Sequence, residues 1–172
     1  MAKVELQIKG REALQKRLNE KRQYVINTLN TRLAQLAEEA VTYSKNNKGY
    51  KDRTANLKNS ISFALYFDGE LLTSKVSEDY NPTYKDEKGK VHDNPFSMDN
   101  VMQFRGNALN EYAQKEGVVA SKGYSLVIVA GMNYGKYVED KGYNVLHLTK
   151  YFLRDEMKKI FEEVAEMIKS DS

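Results

Sequence analysis

Apolar residues recur along this chain with two periods, and the switches between them outline its elements. Val4, Leu6 and Ile8 alternate with Glu5, Gln7 and Lys9, which predicts a short half-buried strand or extended arm that Gly10 ends. From about Arg11 to Lys45 the period lengthens. Leu14, Leu18, Val25, Leu29, Leu33, Leu36 and Ala40 follow at spacings of three, four or seven, with charged residues between them, as one stripe of a helix requires. Such a helix would be ~50 Å long at ~1.5 Å per residue, whereas a compact globule of this length has a radius of gyration of about 16 Å. It must either kink near Asn27–Thr31, where Asn and Thr weaken helix propensity, or overhang onto a neighbouring subunit. The overhang is the preferred solution.

Asn46-Asn47-Lys48-Gly49 closes the helix, and Ile61, Phe63, Leu65 and Phe67 then alternate with Ser62, Ala64 and Tyr66, a strand with one buried face. Asp68-Gly69 suits a tight turn with positive φ at both positions, so Leu71, Leu72 and Val76 are expected on the return strand of a hairpin. Between Ser77 and Lys122 the character changes. This segment holds both prolines, Pro82 and Pro95, a run of mixed charge, and a helical stretch from Met98 to Glu116 with Val101, Phe104, Ala108 and Tyr112 on one side. Tyr124 to Ala130, apolar, β-branched and bounded by glycines, is expected to be a central strand. A final helix is expected to start near Thr149 as its N-cap, burying Phe152, Leu153, Met157, Ile160, Phe161, Val164 and Ile168.

The fold class that follows is α+β. One domain over residues 1–172 has the long N-terminal helix and the C-terminal helix packed on a mostly antiparallel sheet, with 77–122 as an insertion carrying a polar loop and a short helix. Composition agrees with a single packed unit: 172 residues, 41% hydrophobic and 30% charged. Without cysteine there are no disulfides, thiolate nucleophiles or cysteine zinc sites, which fits a reducing compartment. The first ten residues have no apolar run of the kind a signal peptide needs, and no stretch is apolar enough to span a bilayer. A net charge of +3 does not demand an anionic partner.

Two short patterns stand out. The first is Arg53-Thr54-Ala55-Asn56-Leu57-Lys58-Asn59-Ser60-Ile61, a polar turn entering a strand; the second is Gly131 to Gly142, where a strand ends in a loop of glycines and tyrosines. The ordered set of long helix, Thr-x-Asn-Leu-x-x-Ser-Ile turn, hairpin, Val-Ile-Val-Ala-Gly strand, Tyr-x-x-Tyr-Val-Glu-x-x-Gly loop and closing helix resembles the tail-completion or neck family of tailed phages, named after the tenth gene product of a lambdoid coliphage. The resemblance covers roughly residues 11–76 and 123–169. It implies a non-enzymatic protein of the head-to-tail junction, in the virion neck or tail and in the host cytoplasm during assembly. The partners implied are further copies of the chain in a ring and neighbouring neck or tail proteins. The matched positions are Thr54, Asn56, Leu57, Ser60 and Ile61, then Tyr134, Tyr137, Val138, Glu139 and Gly142. The family commonly has glycine where Ala55 stands, a proline a few residues earlier, and Gly-Thr where Gly142-Tyr143 stands.

Each pattern has a plain structural reading beside the functional one. Thr54, Asn56 and Ser60 would cap turns, or with Leu57 would shape a rim where subunits meet. Tyr134, Tyr137 and Tyr143 would be partial core residues, or interface residues around Gly142, because Tyr offers large area at low entropy cost. Glu139 would bind nearby backbone amides, or pair with a basic residue of the same or the next subunit.

Catalytic patterns are weak. His92 and His147 have no partner at metal-ligand spacing, so neither a metal nor another cofactor is expected. Gly131 and Gly135-Lys136 fall one residue short of a phosphate loop, with Tyr137 in place of Ser or Thr. Glu139-Asp140, adjacent on an extended chain, would point to opposite sides, unsuited to a glycosidase pair. An enzyme or a small-molecule substrate is therefore not expected. The rival function is nucleic-acid binding through Lys45, Lys48, Lys51, Arg53 and Lys58, interleaved with Tyr43 and Tyr50 and opposed by Asp52 alone.

Overall fold

A computed structural model describes residues 10–170; the strand or arm expected at Val4–Ile8 lies outside them. Helix α1 runs unbroken from Arg11 to Asn46. The weak helix formers Thr28 and Thr31 stay within it because their hydroxyls donate to the carbonyls of Tyr24 and Asn27, four residues back.

The hairpin forms as expected, β1 (Ile61–Phe67) pairing antiparallel with β2 (Glu70–Lys75). Asp68 and Gly69 both take positive φ, 51° and 84°. A third strand, β5 (Tyr124–Ala130), pairs antiparallel with the other edge of β1, giving the order β2-β1-β5. The central strand is thus β1, which corrects the expectation for Tyr124–Ala130. The apolar run of β5 reflects helices on both its faces and not partners on both its edges. For the same reason β1 buries both faces, Ser62 and Ala64 as well as Ile61, Phe63 and Leu65.

One sheet face packs on α1 and on α5 (His147–Ser170). Leu33, Leu36 and Leu65 form the centre, with Leu126, Phe152, Leu153 and Met157 around them. Each such fully buried leucine contributes roughly 1.5–3 kcal/mol. The two helices run antiparallel: Ser44 meets Thr149, Tyr43 stacks on Phe152 with centroids 4.4 Å apart, and Arg32 pairs with Glu163 at 3.5 Å. Phe161 and Ile168, expected inside, are 43% and 39% exposed.

The opposite face packs on α3 (Met98–Lys115) through Ala64, Leu109, Val127 and Val129. The second half of the 77–122 segment is therefore a layer of the core. Its buried stripe is Val101, Arg105 and Leu109, not the expected Val101, Phe104, Ala108 and Tyr112; Tyr112 is 43% exposed. The polar half carries a small hairpin, β3 (Thr83–Lys85) with β4 (Val91–Asp93). Two short helices complete the chain, α2 (Asn56–Asn59) and α4 (Gly135–Asp140).

Candidate functional site

The two sequence patterns meet. Ser60, at the end of α2, is fully buried; its hydroxyl donates to the Leu57 carbonyl at 2.7 Å and accepts the Met132 amide at 3.3 Å. The Gly131 amide donates to the Ser60 carbonyl at 3.1 Å. Glycine at 135 permits this approach, since a Cβ there would lie 3.1 Å from Leu57 Cδ1, and glycine at 131 admits α3, since a Cβ there would lie 2.7 Å from Arg105 Cα. Leu57 joins Val101, Met132 and Val145 in a core cluster that Tyr50, Tyr134 and Val138 pack against.

Local chemistry explains the first turn. Thr54 Oγ1 accepts the Asn56 amide at 3.3 Å, and Ala55 then sits in the left-handed region at φ 62°. Asn56, 1% exposed, forms two amide-to-amide hydrogen bonds with Asn94, at 2.9 and 3.0 Å. Asn94 also donates to the Asn81 carbonyl and accepts the Phe96 amide. The polar 77–94 stretch is thereby pinned to α2. Tyr134 brings its hydroxyl to Thr54 and the Leu57 backbone; burial raises its pKa above the ordinary 10.0, and the Thr54 hydrogen bond opposes that rise.

Glu139 takes the first of its two expected roles. Its carboxylate accepts the amides of Val145 and Leu146 at 2.8 and 2.9 Å through Oε2, and that of His147 at 3.1 Å through Oε1. These are groups that the start of α5 would otherwise leave without acceptors, and a negative charge there also suits the helix dipole. Asn144 adds its Oδ1 to the Leu148 amide and donates through Nδ2 to the Asn47 carbonyl, tying the end of α1 to the start of α5. Thr149 is therefore not the N-cap. It lies inside the helix, 2% exposed, with its hydroxyl 2.6 Å from that of Ser44.

The residues expected at a subunit interface thus divide in three. Asn56, Leu57 and Ser60 are buried and offer no surface to a neighbour, which corrects the rim reading for them. Thr54, Tyr134 and Glu139 are half-buried and engaged internally. Tyr137, Gly142 and Tyr143 remain outside, the two tyrosines 64% and 51% exposed. Lys141 extends its amine over the Tyr137 ring, 5.4 Å from the centroid.

The basic segment is less open than its sequence implies. Lys48 pairs with Asp52 at 3.2 Å and Lys51 with Glu87 at 2.8 Å. Lys45 and Lys58 are half-buried, and burial lowers the Lys45 pKa against the pull of Asp79. Tyr43 is stacked on Phe152, and Tyr50 packs on the Leu57 cluster with the Lys48 amine over its ring. Arg53 is exposed.

Among the described residues no cluster of three or more His, Cys, Asp or Glu is arranged to hold a metal ion. His92 is 2.9 Å from Asp86 and stacks on Tyr84, while His147 meets Tyr151 edge-on. Glu139 and Asp140 lie on a helical turn, not on the extended chain expected, with Glu139 committed to backbone amides. No helix of the described residues is long and apolar enough to cross a membrane. Sequence reasoning missed the Asn56–Asn94 pairing, Asn144 and the Ser44–Thr149 pair, and it missed Arg105, which is fully buried with Nε and Nη2 lacking partners among the described residues. Neither a family model, nor a curated protein, nor a solved structure matches the chain.

Proposed function

We propose that the protein is a structural subunit of a tailed-phage or prophage head-to-tail junction, completing the neck or tail by assembling with copies of itself and with adjoining virion proteins. In this reading it makes and breaks no covalent bond. Its mechanism is the closure of a ring by repeated contacts between unlike surfaces.

The observation that carries the reading is the projection of α1 beyond its partner helix. Lys21 donates to the carbonyl of Ile168, near the end of α5. The preceding turns of α1 lie past that point, with Leu14 and Leu18 60% and 59% exposed on one stripe. Two large apolar side chains held out on a helix gain little in a lone subunit and would gain on burial against another. The exposed Tyr137 and Tyr143 give a second surface of the kind that interfaces favour.

Negative-stain electron microscopy of the purified protein is the direct test. Closed annular particles of uniform diameter are expected, and a field of single small globules would overturn the proposal.

A further inference from the structure

Arg105 stands between Val101 and Leu109 on the buried stripe of α3, where packing alone would place an apolar residue. Its guanidinium is fully buried. Nη1 donates to the Ser77 carbonyl and approaches the Met102 sulfur, whereas Nε and Nη2 have no partner among the described residues. Those two donors are neighbours on one edge of the guanidinium, the edge that gives two parallel hydrogen bonds to a single carboxylate or phosphate. The unused donors therefore form one complete fork. A buried cation without a counter-charge is strongly unfavourable, and an apolar side chain of similar volume would serve the core better.

The surroundings add positive charge instead of cancelling it. Lys45 and Lys58 are half-buried, and none of the three cations forms a salt bridge with a described residue. They sense one another: burial lowers the Lys45 pKa, Asp79 opposes this, and Lys58, Arg105 and Lys75 lower it further. Burial lowers the Arg105 pKa as well, again against Asp79. Lys75 is paired with Glu38 at 3.4 Å. Lys45, Lys58 and Arg105 thus share Asp79, and the cluster keeps a surplus of two positive charges.

A groove of about 540 Å³ opens beside this cluster, lined by Thr42 and Lys45 of α1 and by Val76, Ser77 and Asp79. Ser77 both lines the groove and holds Nη1 of Arg105, so the guanidinium stands directly behind the groove wall. Residues 76–81 belong to no helix or strand, and this wall can move without breaking a ladder. The geometry points to an oxyanion site, in which a phosphate dianion, free or as a monoester, enters beside Lys45, turns the Ser77–Asp79 stretch aside and takes the Nε–Nη2 fork of Arg105. Lys45 and Lys58 supply the balance of charge. A phosphate group carries about −1.5 to −2 at neutral pH, which matches the surplus, whereas a single carboxylate would leave half of it. The site does not depend on whether subunits associate.

Equilibrium dialysis of the intact protein against radiolabelled inorganic phosphate, at an ionic strength fixed with sodium chloride, tests the site. Saturable binding of one phosphate per chain is expected, weakened at least ~10-fold by Arg105→Met and at least ~3-fold by Lys45→Gln. Absent binding, or equal binding by wild type and Arg105→Met, overturns the inference. Arg105→Met removes a buried charge and is expected to melt no lower than wild type. Should it fail to fold, Lys45→Gln carries the comparison, and unchanged phosphate binding by that variant overturns the site. Competition separates the sources: displacement by ribose 5-phosphate at equal or lower concentration supports a monoester ligand, and its failure to compete supports the free ion. A single-stranded oligonucleotide without terminal phosphate that binds wild type and Arg105→Met alike, and displaces phosphate better than ribose 5-phosphate does, overturns the discrete site.

Discussion

Asn56 and Asn94 hold each other by two amide-to-amide hydrogen bonds, 2.9 and 3.0 Å long, across 38 residues of chain. The pair joins the turn before β1 to the loop before α3, and Asn56 is 1% exposed. Removing either side chain strands a polar group that water cannot readily reach. Asn56→Ala is expected to lower unfolding stability by about 2 kcal/mol. Asn94→Ala should cost as much or more, because Asn94 also serves Asn81 and Phe96. A double-mutant cycle by urea denaturation should return a coupling above about 1 kcal/mol; additive losses would deny the pair.

Glu139 should prove to be a helix-start residue. Replacing it with Ala removes the acceptor of three amides at the head of α5, with an expected loss of about 2–3 kcal/mol. Glu139→Gln keeps an acceptor oxygen but no charge and should lose less. Thermal unfolding followed by far-ultraviolet dichroism ranks the three proteins; equal midpoints would contradict the capping role.

Ala55 occupies a backbone conformation that suits glycine. At φ 62° an L side chain is strained by roughly 1–2 kcal/mol, part of which glycine returns as added freedom of the unfolded chain. Ala55→Gly should therefore stabilise the protein by about 0.5–1 kcal/mol, and Ala55→Val should destabilise it. Denaturant midpoints decide the sign.

Tyr137 and Tyr143 lie outside the core, 64% and 51% exposed. Their joint replacement by Ala should change monomer stability by less than about 0.5 kcal/mol while weakening self-association at least ~10-fold, as expected for interface tyrosines. Sedimentation velocity reads the association; an unchanged profile would remove these residues from the contact.

What could be read from the chain beforehand follows how local each cause is. The α1 helix, the Asp68-Gly69 turn and the strand β1 are set by residues a few positions apart, and each appears where expected, but β1 buries both faces and not the single face its alternation implied, and Leu14 and Leu18 of the α1 stripe stay exposed. The position of β5 at the sheet edge depends on β1 taking β2 and β5 as its two neighbours, and nothing within Tyr124–Ala130 encodes that. Thr149 has the chemistry of an N-cap, but Glu139 and Asn144 reach the free amides first and leave its hydroxyl to Ser44, 105 positions away. Asn56 and Ser60 have the local chemistry of turn caps, and nothing near them in sequence decides between a cap and a subunit rim. Their partners, Asn94 and Met132, lie far off in sequence and fix them in the interior.

The central claim is that this protein works by joining copies of itself, and sedimentation equilibrium over a concentration series tests it most directly. The predicted result is a mass that climbs from the 19.8 kDa of one chain to a fixed integer multiple of it. A mass of 19.8 kDa at every concentration, unchanged when adjoining virion proteins are added, would contradict the account.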